Sequence, residues 1–146
     1  MRHCNTSFGL VSRAAVLLAA VGCGGSGMYP VEGKIMFTDG KPATELAGGT
    51  VMFESQAEKN RVSALGEIDK QGTFRLTTSQ KNDGAPAGKY KVLVAPPEQE
   101  QKDDQPKIKR QLLIDPSYQK LETTDLEVVI ETKRNEVVLK VKRAKR

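Results

Sequence analysis

Apolar and polar residues alternate along most of the chain after residue 28, and this period of two is typical of β-strands that turn one face toward a core. No segment of this region repeats its apolar residues at the spacing of an amphipathic helix. Short strands separated by Gly, Pro and Asp predict an all-β domain, a single seven-stranded antiparallel sandwich of the Greek-key type. The alternating segments are residues 29–37, 49–55, 61–68, 73–78, 89–95, 125–132 and 136–141.

Turn-forming residues mark the ends of these strands. Residues 38–42 contain Asp-Gly and a proline, which cannot donate to a strand ladder, so the first strand ends before them. Residues 69–72, with Asp first and Gly last, are predicted to close a hairpin between the third and fourth strands. Residues 98–105 lie between two prolines and contain no apolar side chain, which predicts an exposed polar loop near residues 97–107.

The N-terminal segment has the features of a signal peptide. Arg2 and Arg13 precede an apolar run at residues 14–21, which is too short for a transmembrane helix of roughly 20 residues. Residues 20–23, Ala-Val-Gly-Cys, resemble the bacterial lipoprotein box, in which the cysteine is lipidated before cleavage. Residues 24–27, Gly-Gly-Ser-Gly, are expected to form a flexible tether.

This pattern predicts both the location of the protein and its division into segments. Cleavage before Cys23 removes His3 and Cys4, so the mature chain has no histidine and cannot form an internal disulfide. We expect the chain to sit in the cell envelope, bound to membrane lipid through acylated Cys23. Gly24, in place of an acidic residue after Cys23, resembles the sorting pattern of lipoproteins delivered to the outer membrane, and this resemblance implies the outer membrane, facing the periplasm, rather than the inner membrane. The segments are a signal peptide at 1–22, the lipidated cysteine and tether at 23–28, a β-sandwich at 29–142 and a basic tail at 143–146.

Several motifs resemble a known domain in order and spacing. They are similar to the carboxypeptidase regulatory-like, transthyretin-like domain carried by small bacterial lipoproteins, and the most specific pieces are residues 72–74, Gly-Thr-Phe, and 88–90, Gly-Lys-Tyr. The resemblance covers about residues 28 to 142. It implies a prealbumin-like sandwich on a lipid anchor, in a family that mostly has no assigned activity. The matching segments are residues 29–35, 39–42, 49–53, 69–74, 83–92, 116–118, 123–126 and 135–137.

Composition limits the chemistry that such a domain could perform. The chain has 146 residues, with 23 Lys and Arg against 18 Asp and Glu, one histidine and two cysteines. A mature chain without histidine cannot assemble a Ser-His or Cys-His nucleophile. The histidine-dependent hydrolase known among transthyretin-like folds is excluded for the same reason. We therefore predict that the protein is not an enzyme and has no catalytic residue, cofactor or metal.

Three other arrangements of residues could in principle carry chemistry, but each is better explained by exposure or by a turn. The carboxylates of residues 98–104 fall in the predicted polar loop, where no pocket would raise the pKa of a catalytic acid. The turn at residues 69–72 offers calcium only one carboxylate, that of Asp69, so Asp69 is better explained as a turn residue than as a calcium ligand. A crosslink between Lys34 and Asn135, as in pilin-like sandwiches, is disfavoured because Lys34 alternates with the core-facing positions of its strand and should be exposed.

The candidate contact residues lie near the C-terminus. Tyr29 and Tyr118 are the aromatic residues expected at the surface, because they do not occupy core-facing strand positions. The basic residues of the tail could contact an acidic envelope protein, cell-wall polymer or anionic headgroups, although a solvated chain end explains them equally well. These candidates are Tyr118, Lys142, Arg143, Lys145 and Arg146.

The expected function is that of a membrane-anchored envelope lipoprotein acting as a non-catalytic binding or structural module. Alternatives are an accessory protein or enzyme that acts on cell-wall polysaccharide, and a pilin-like structural subunit. An exported chain is not expected to bind nucleic acid.

Overall fold

The computed structural model describes residues 27–98 and 112–145. In these residues no α-helix occurs, and two 3₁₀ turns, Thr44–Leu46 and Pro116–Gln119, lie in the loops. The predicted all-β class is therefore confirmed. The strands are β1 (Met28–Tyr29), β2 (Val31–Phe37), β3 (Thr50–Ser55), β4 (Ser63–Glu67), β5 (Thr73–Arg75), β6 (Ala85–Pro86), β7 (Gly88–Ala95), β8 (Glu127–Ile130) and β9 (Asn135–Val141).

Several sequence predictions concern residues outside these ranges. They are the signal peptide, the lipidation site Cys23, the tether residues 24–26, residues 99–107 of the predicted polar loop and the tail residue Arg146. Glu98, at the edge of the polar loop, is exposed as predicted.

Two sheets share one hydrophobic core. The three-stranded sheet has the order β5-β2-β9, the four-stranded sheet has the order β4-β3-β7-β8, and β1 pairs separately with β6. Buried and outward positions alternate along β2, β3 and β7, as the sequence predicted. Because buried side chains of both sheets belong to one cluster, the arrangement is sandwich-like.

Aromatic packing joins the two sheets. Phe74 of β5 lies opposite Gly33 of β2, and its ring occupies the space that a side chain at position 33 would need. The ring centroid of Phe74 lies 5.9 Å from that of Phe53 on β3 in the other sheet. Phe53 in turn lies 6.2 Å from Tyr90 on β7. The glycine in the middle of β2 thus makes room for a stack of rings across the core.

One strand pairing contradicts the predicted purely antiparallel sandwich. β2 and β9 pair in parallel, from Val31 beside Asn135 to Phe37 beside Val141. The rest of the domain connects these two strands, so no short turn forces them to run in opposite directions. The three-stranded sheet is mixed, and the antiparallel assignment of this pair was wrong.

The turn at residues 69–72 forms as predicted and closes a hairpin that is only partly paired. Asp69 accepts hydrogen bonds of 2.8 Å from two backbone N–H groups that follow it. The turn joins β4 to β5, which belong to different sheets. On either side of the turn the N–H of Asp69 donates to the carbonyl of Thr73 at 2.8 Å, and Leu65 of β4 exchanges two hydrogen bonds with Thr77, just after β5. The predicted hairpin is therefore confirmed in part, because residues 61–68 and 73–78 pair at these two points, whereas the middle of the second segment, β5, pairs with β2.

The registers determine which loops share an end of the sandwich. Because β2 and β9 are parallel, the chain enters beside the start of both strands and the C-terminal tail leaves beside their ends. Seven residues of strand separate these two ends by roughly 20 Å. We call them the tether end, with loops 56–62, 77–84 and 131–134, and the tail end, with loops 38–49 and 69–72 and residues 142–145.

Candidate interaction surface

Tyr118, predicted as a surface contact, is buried and only 2% exposed. It lies in the 3₁₀ turn Pro116–Gln119, which begins where the carboxylate of Asp115 accepts a hydrogen bond of 3.0 Å from a backbone N–H. The turn packs against β7. The surface prediction was wrong because strand alternation does not indicate where a side chain points in such a turn. Tyr29, also expected at the surface, is half-buried against the core.

Arg143 is bound to the body of the domain. Its guanidinium carbon lies 3.7 Å from the centroid of the Phe37 ring, a cation–π arrangement. Its Nη1 donates to both carboxylate oxygens of Glu45, at 2.8 and 2.7 Å, and its Nε lies 3.6 Å from Asp39. The hydrogen bond to Glu45 is the main cause that raises the pKa of Arg143. Arg143 therefore covers the tail end of the core, and two carboxylates already balance its charge.

Lys142 and Lys145 are exposed, as the sequence predicted. The backbone carbonyl of Lys142 accepts a hydrogen bond of 3.0 Å from the N–H of Asp115. The pKa of Asp115 is lowered, first by hydrogen bonding from Ser117 and then by the positive charges of the two lysines. The contact of these lysines with a partner stays a prediction, and the tail is less strongly positive than its sequence suggests.

A second charged cluster lies on the outer face of the three-stranded sheet. Glu32 of β2 contacts Arg75 of β5 at 2.9 Å and Arg134, just before β9, at 2.8 Å. The hydrogen bond from Arg134 is the main cause that lowers the pKa of Glu32. Strand alternation predicts that Glu32 points outward, but this cluster was missed because it depends on the register between strands.

Two aspartates stabilise turns at opposite ends of the sandwich. Burial tends to raise the pKa of Asp83, but hydrogen bonds of 2.7–3.0 Å from the N–H groups of residues 78–80 outweigh it, and the pKa is lowered. A hydrogen bond from the Thr73 hydroxyl is the largest cause that lowers the pKa of Asp69. Across 27–98 and 112–145, no group of three or more His, Cys, Asp or Glu side chains is placed to hold a metal ion.

Lys34 and Asn135 do not face each other. Lys34 is exposed, as predicted, and lies beside Val138 in the parallel register. Asn135 is 7% exposed, and its side-chain amide donates to the carbonyl oxygens of Glu131 and Lys133 at 3.1 and 2.6 Å. Its Oδ1 accepts the N–H of Glu131 at 2.9 Å. Asn135 therefore closes the turn before β9 rather than meeting a lysine.

Comparison with known proteins gives one distant structural match. No family model matches the chain, and no curated protein sequence matches it. The crystal structure of the major plantain pollen allergen Pla l 1 matches with a TM-score of 0.37 and 15% sequence identity, over 79% of this chain and 93% of the allergen. Where the structure is described, it contains no helix long and apolar enough to cross a membrane.

Proposed function

We propose that this chain is a lipid-anchored protein of the cell envelope, modified at Cys23, whose β-sandwich is a non-catalytic binding or structural module. The observation that carries the proposal is the position of Cys23, which follows an apolar run and precedes Met28, the first residue of β1, by five positions. The intervening residues 24–27, Gly-Gly-Ser-Gly, span at most about 14 Å when extended. A lipid on Cys23 holds the tether end close to a bilayer.

The start of the domain supports a tether at this point. β1 pairs with β6, with Met28 beside Pro86 and Tyr29 beside Ala85. Gly84 lies so close to this strand that a Cβ there would stand 2.8 Å from the Cα of Pro30. The chain is therefore paired and packed within a few residues of the point where the tether enters. A force transmitted from the lipid anchor would act on a strand that these contacts hold in place.

The arrangement of seven strands in sheets of three and four supports a prealbumin-like fold for the module. The motif residues that resemble the carboxypeptidase regulatory-like, transthyretin-like domain also have structural roles here. Asp69 and Gly72 form the turn between the sheets, and Phe74 fills the space over Gly33. We therefore retain that domain as the proposed assignment for residues 28 to 142.

The tail end is the proposed contact surface for a partner. It lies roughly 20 Å along β2 from the tether, and its exposed residues Lys142 and Lys145 favour an anionic partner, an envelope protein or cell-wall polymer. Gly24 directly after Cys23 favours an anchor in the outer membrane, facing the periplasm.

Lipidation is tested by comparing the two cysteines of the chain. In membrane fractions, we expect the N-terminal peptide to begin at Cys23 and to have the mass of a diacylglycerol and N-acyl adduct. Cys23→Ala should release the protein from membranes, whereas the matched variant Cys4→Ala should leave it there. An unmodified N-terminal peptide, or membrane binding that survives Cys23→Ala, would contradict the proposal.

The partner surface is tested by mild crosslinking in cells followed by mass spectrometry. A double variant, Lys142→Ala with Lys145→Ala, should lose the crosslinked partner. A control with the same change of charge, Lys89→Ala with Lys120→Ala, should keep it, because these exposed lysines lie outside the tail. Equal capture by both double variants would exclude the tail as the contact surface.

A further inference from the structure

β9 is the longest strand at a sheet edge within the described residues. It ends the order β5-β2-β9 and has seven residues, whereas the other edge strands β5, β4 and β8 have three, five and four. The backbone groups on its outer side form a template on which another strand can pair. An open edge of this length is a candidate interface.

The parallel register shows which residues of β9 present free backbone groups. The N–H of Asn135 donates to Pro30 at 2.9 Å, and the carbonyl of Val141 accepts from Thr38 at 3.0 Å. In a parallel pair, bonded and outward residues alternate. Odd-numbered residues of β9 therefore bond to β2, and the N–H and C=O groups of Glu136, Val138 and Lys140 point away from the sheet.

The chain itself pairs with the same side of the strand farther along. The carbonyl of Lys142 accepts from Asp115 at 3.0 Å, and the N–H of Ala144 donates to Leu113 at 3.4 Å. The pairing stops at the 3₁₀ turn Pro116–Gln119, where the N–H of Ser117, the next group that would face β9, donates to the Asp115 carboxylate at 3.0 Å instead. Among residues 27–98 and 112–145, the part of this edge without a backbone partner is residues 136–140, bounded by the 131–134 turn on one side and by Asp115 on the other, with Val138 at its centre.

This open segment is complementary to itself. Antiparallel pairing of two copies about Val138 places Glu136 of each copy opposite Lys140 of the other, and every outward N–H and C=O of the three residues gains a partner. All three side chains are exposed. Val138, at 61% exposure, would pack against its equivalent in the second copy. Opposite charges beside an apolar centre favour this register.

We propose that residues 136–140 form a two-fold symmetric interface between two copies of this chain, which joins their three-stranded sheets into one continuous sheet. The edge of β8 lacks this complementarity, because pairing about Val129 would place Glu127 opposite Glu131 of the other copy. The edge of β4 is already engaged, since Leu65 exchanges hydrogen bonds with Thr77. The β9 interface does not depend on lipidation.

The interface also relates the two tethers. The two β9 strands run in opposite directions, so the tethers leave from opposite ends of the joined sheet. Each tether reaches at most about 14 Å. Two copies can therefore insert their lipids into one bilayer when the strands lie along the membrane surface.

The test is disulfide trapping in the full-length chain with Cys4→Ala and Cys23→Ala, so that the introduced cysteine is the only thiol. At the two-fold axis, the Cα atoms of a hydrogen-bonded antiparallel pair stand about 5.5 Å apart, which suits a disulfide. Val138→Cys should therefore give a covalent dimer on mild oxidation, seen by non-reducing electrophoresis. Val129→Cys is the matched control, because it is the same substitution at a valine with the same 61% exposure. We expect roughly tenfold less dimer from the control.

Charge reversal in the Val138→Cys chain tests the register. Glu136→Lys alone places like charges together at both ends of the interface and should lower the trapped dimer roughly tenfold. Adding Lys140→Glu exchanges the two charges and should restore it. Equal trapping at Val138→Cys and Val129→Cys, failure of the exchanged pair to restore the dimer, or a crosslinked product that contains a different protein would overturn the proposal.

Discussion

Replacing Gly33 with alanine tests whether the packing of Phe74 over β2 holds the sheets together. A Cβ at position 33 would lie 2.5 Å from Cε1 and 2.7 Å from Cε2 of Phe74, whereas carbon atoms in contact stand about 3.5–4.0 Å apart. The ring cannot move aside freely, because it is 3% exposed and packs against Phe53 of the other sheet. Either Phe74 leaves the core or β2 shifts away from its neighbours.

The expected cost follows from the displaced ring. Removing a buried phenylalanine from its site costs about 3–5 kcal/mol, including the space left behind. Alanine restricts the unfolded chain more than glycine does, which offsets about 0.5–1 kcal/mol. We therefore expect Gly33→Ala to lower the free energy of unfolding by about 3 kcal/mol, a large part of the roughly 5–15 kcal/mol that stabilises a typical domain.

Urea unfolding followed by far-ultraviolet circular dichroism measures this change, since the chain contains no tryptophan to report by fluorescence. Gly40→Ala is the control, because Gly40 has a φ of 84° and open space around its Cβ position. It should lose only about 1 kcal/mol, the cost of the left-handed backbone.

A double-mutant cycle separates the ring contact from any general effect on β2. Phe74→Ala removes the ring, so Gly33→Ala should add almost nothing in that background, a coupling of about 3 kcal/mol. If Gly33→Ala changed the free energy of unfolding by less than about 0.5 kcal/mol, or if the two changes were additive, the packing argument would be refuted.

Four further substitutions, at three residues, test other parts of the domain by the same unfolding measurement. Tyr118→Ala should lower the free energy of unfolding by about 3–4 kcal/mol because the side chain is buried. A decrease of less than about 0.5 kcal/mol would indicate that Tyr118 lies at the surface. Asn135→Ala should cost about 2 kcal/mol, and Asn135→Asp should not recover it, because a carboxylate cannot donate to the carbonyls of Glu131 and Lys133. Asp69→Asn should cost about 1 kcal/mol at neutral pH. Folding lowers the pKa of Asp69 from its ordinary value of 3.8, so the stabilisation by its carboxylate is lost as the pH falls through the pKa of the folded state. The difference in free energy of unfolding between the unaltered protein and Asp69→Asn should therefore disappear below about pH 4 and persist at higher pH.

The strands and turns were largely predictable because each depends on neighbouring residues. The alternation of Val31, Ile35 and Phe37 predicts an inward face, and these residues are buried. The Asp-Gly pair at residues 39–40 and the turn at residues 69–72 also form where the sequence predicts them. These signals are local, since a turn or an alternating strand needs only a few consecutive residues.

The surface candidates were harder to predict, since they depend on contacts between distant segments. Arg143 was expected as a free tail cation, but it lies over Phe37 and pairs with Glu45. Tyr118 was expected at the surface, but its turn packs against β7. In both cases the sequence identifies the cation or the aromatic residue but not the contacts that its side chain makes, because the contacting residues lie far away in the sequence.

The sequence alone determined the all-β class, the inward face of the main strands and the residues that form the turns. Only the tertiary structure decided that β2 pairs in parallel with β9, that β5 joins the sheet of β2, and that residues 136–140 have no backbone partner on their outer side in the part of the chain that the structure describes. Strand direction and register depend on which long-range pairs bury the most apolar surface and satisfy the most backbone groups, and alternation along a single strand is compatible with several such partners.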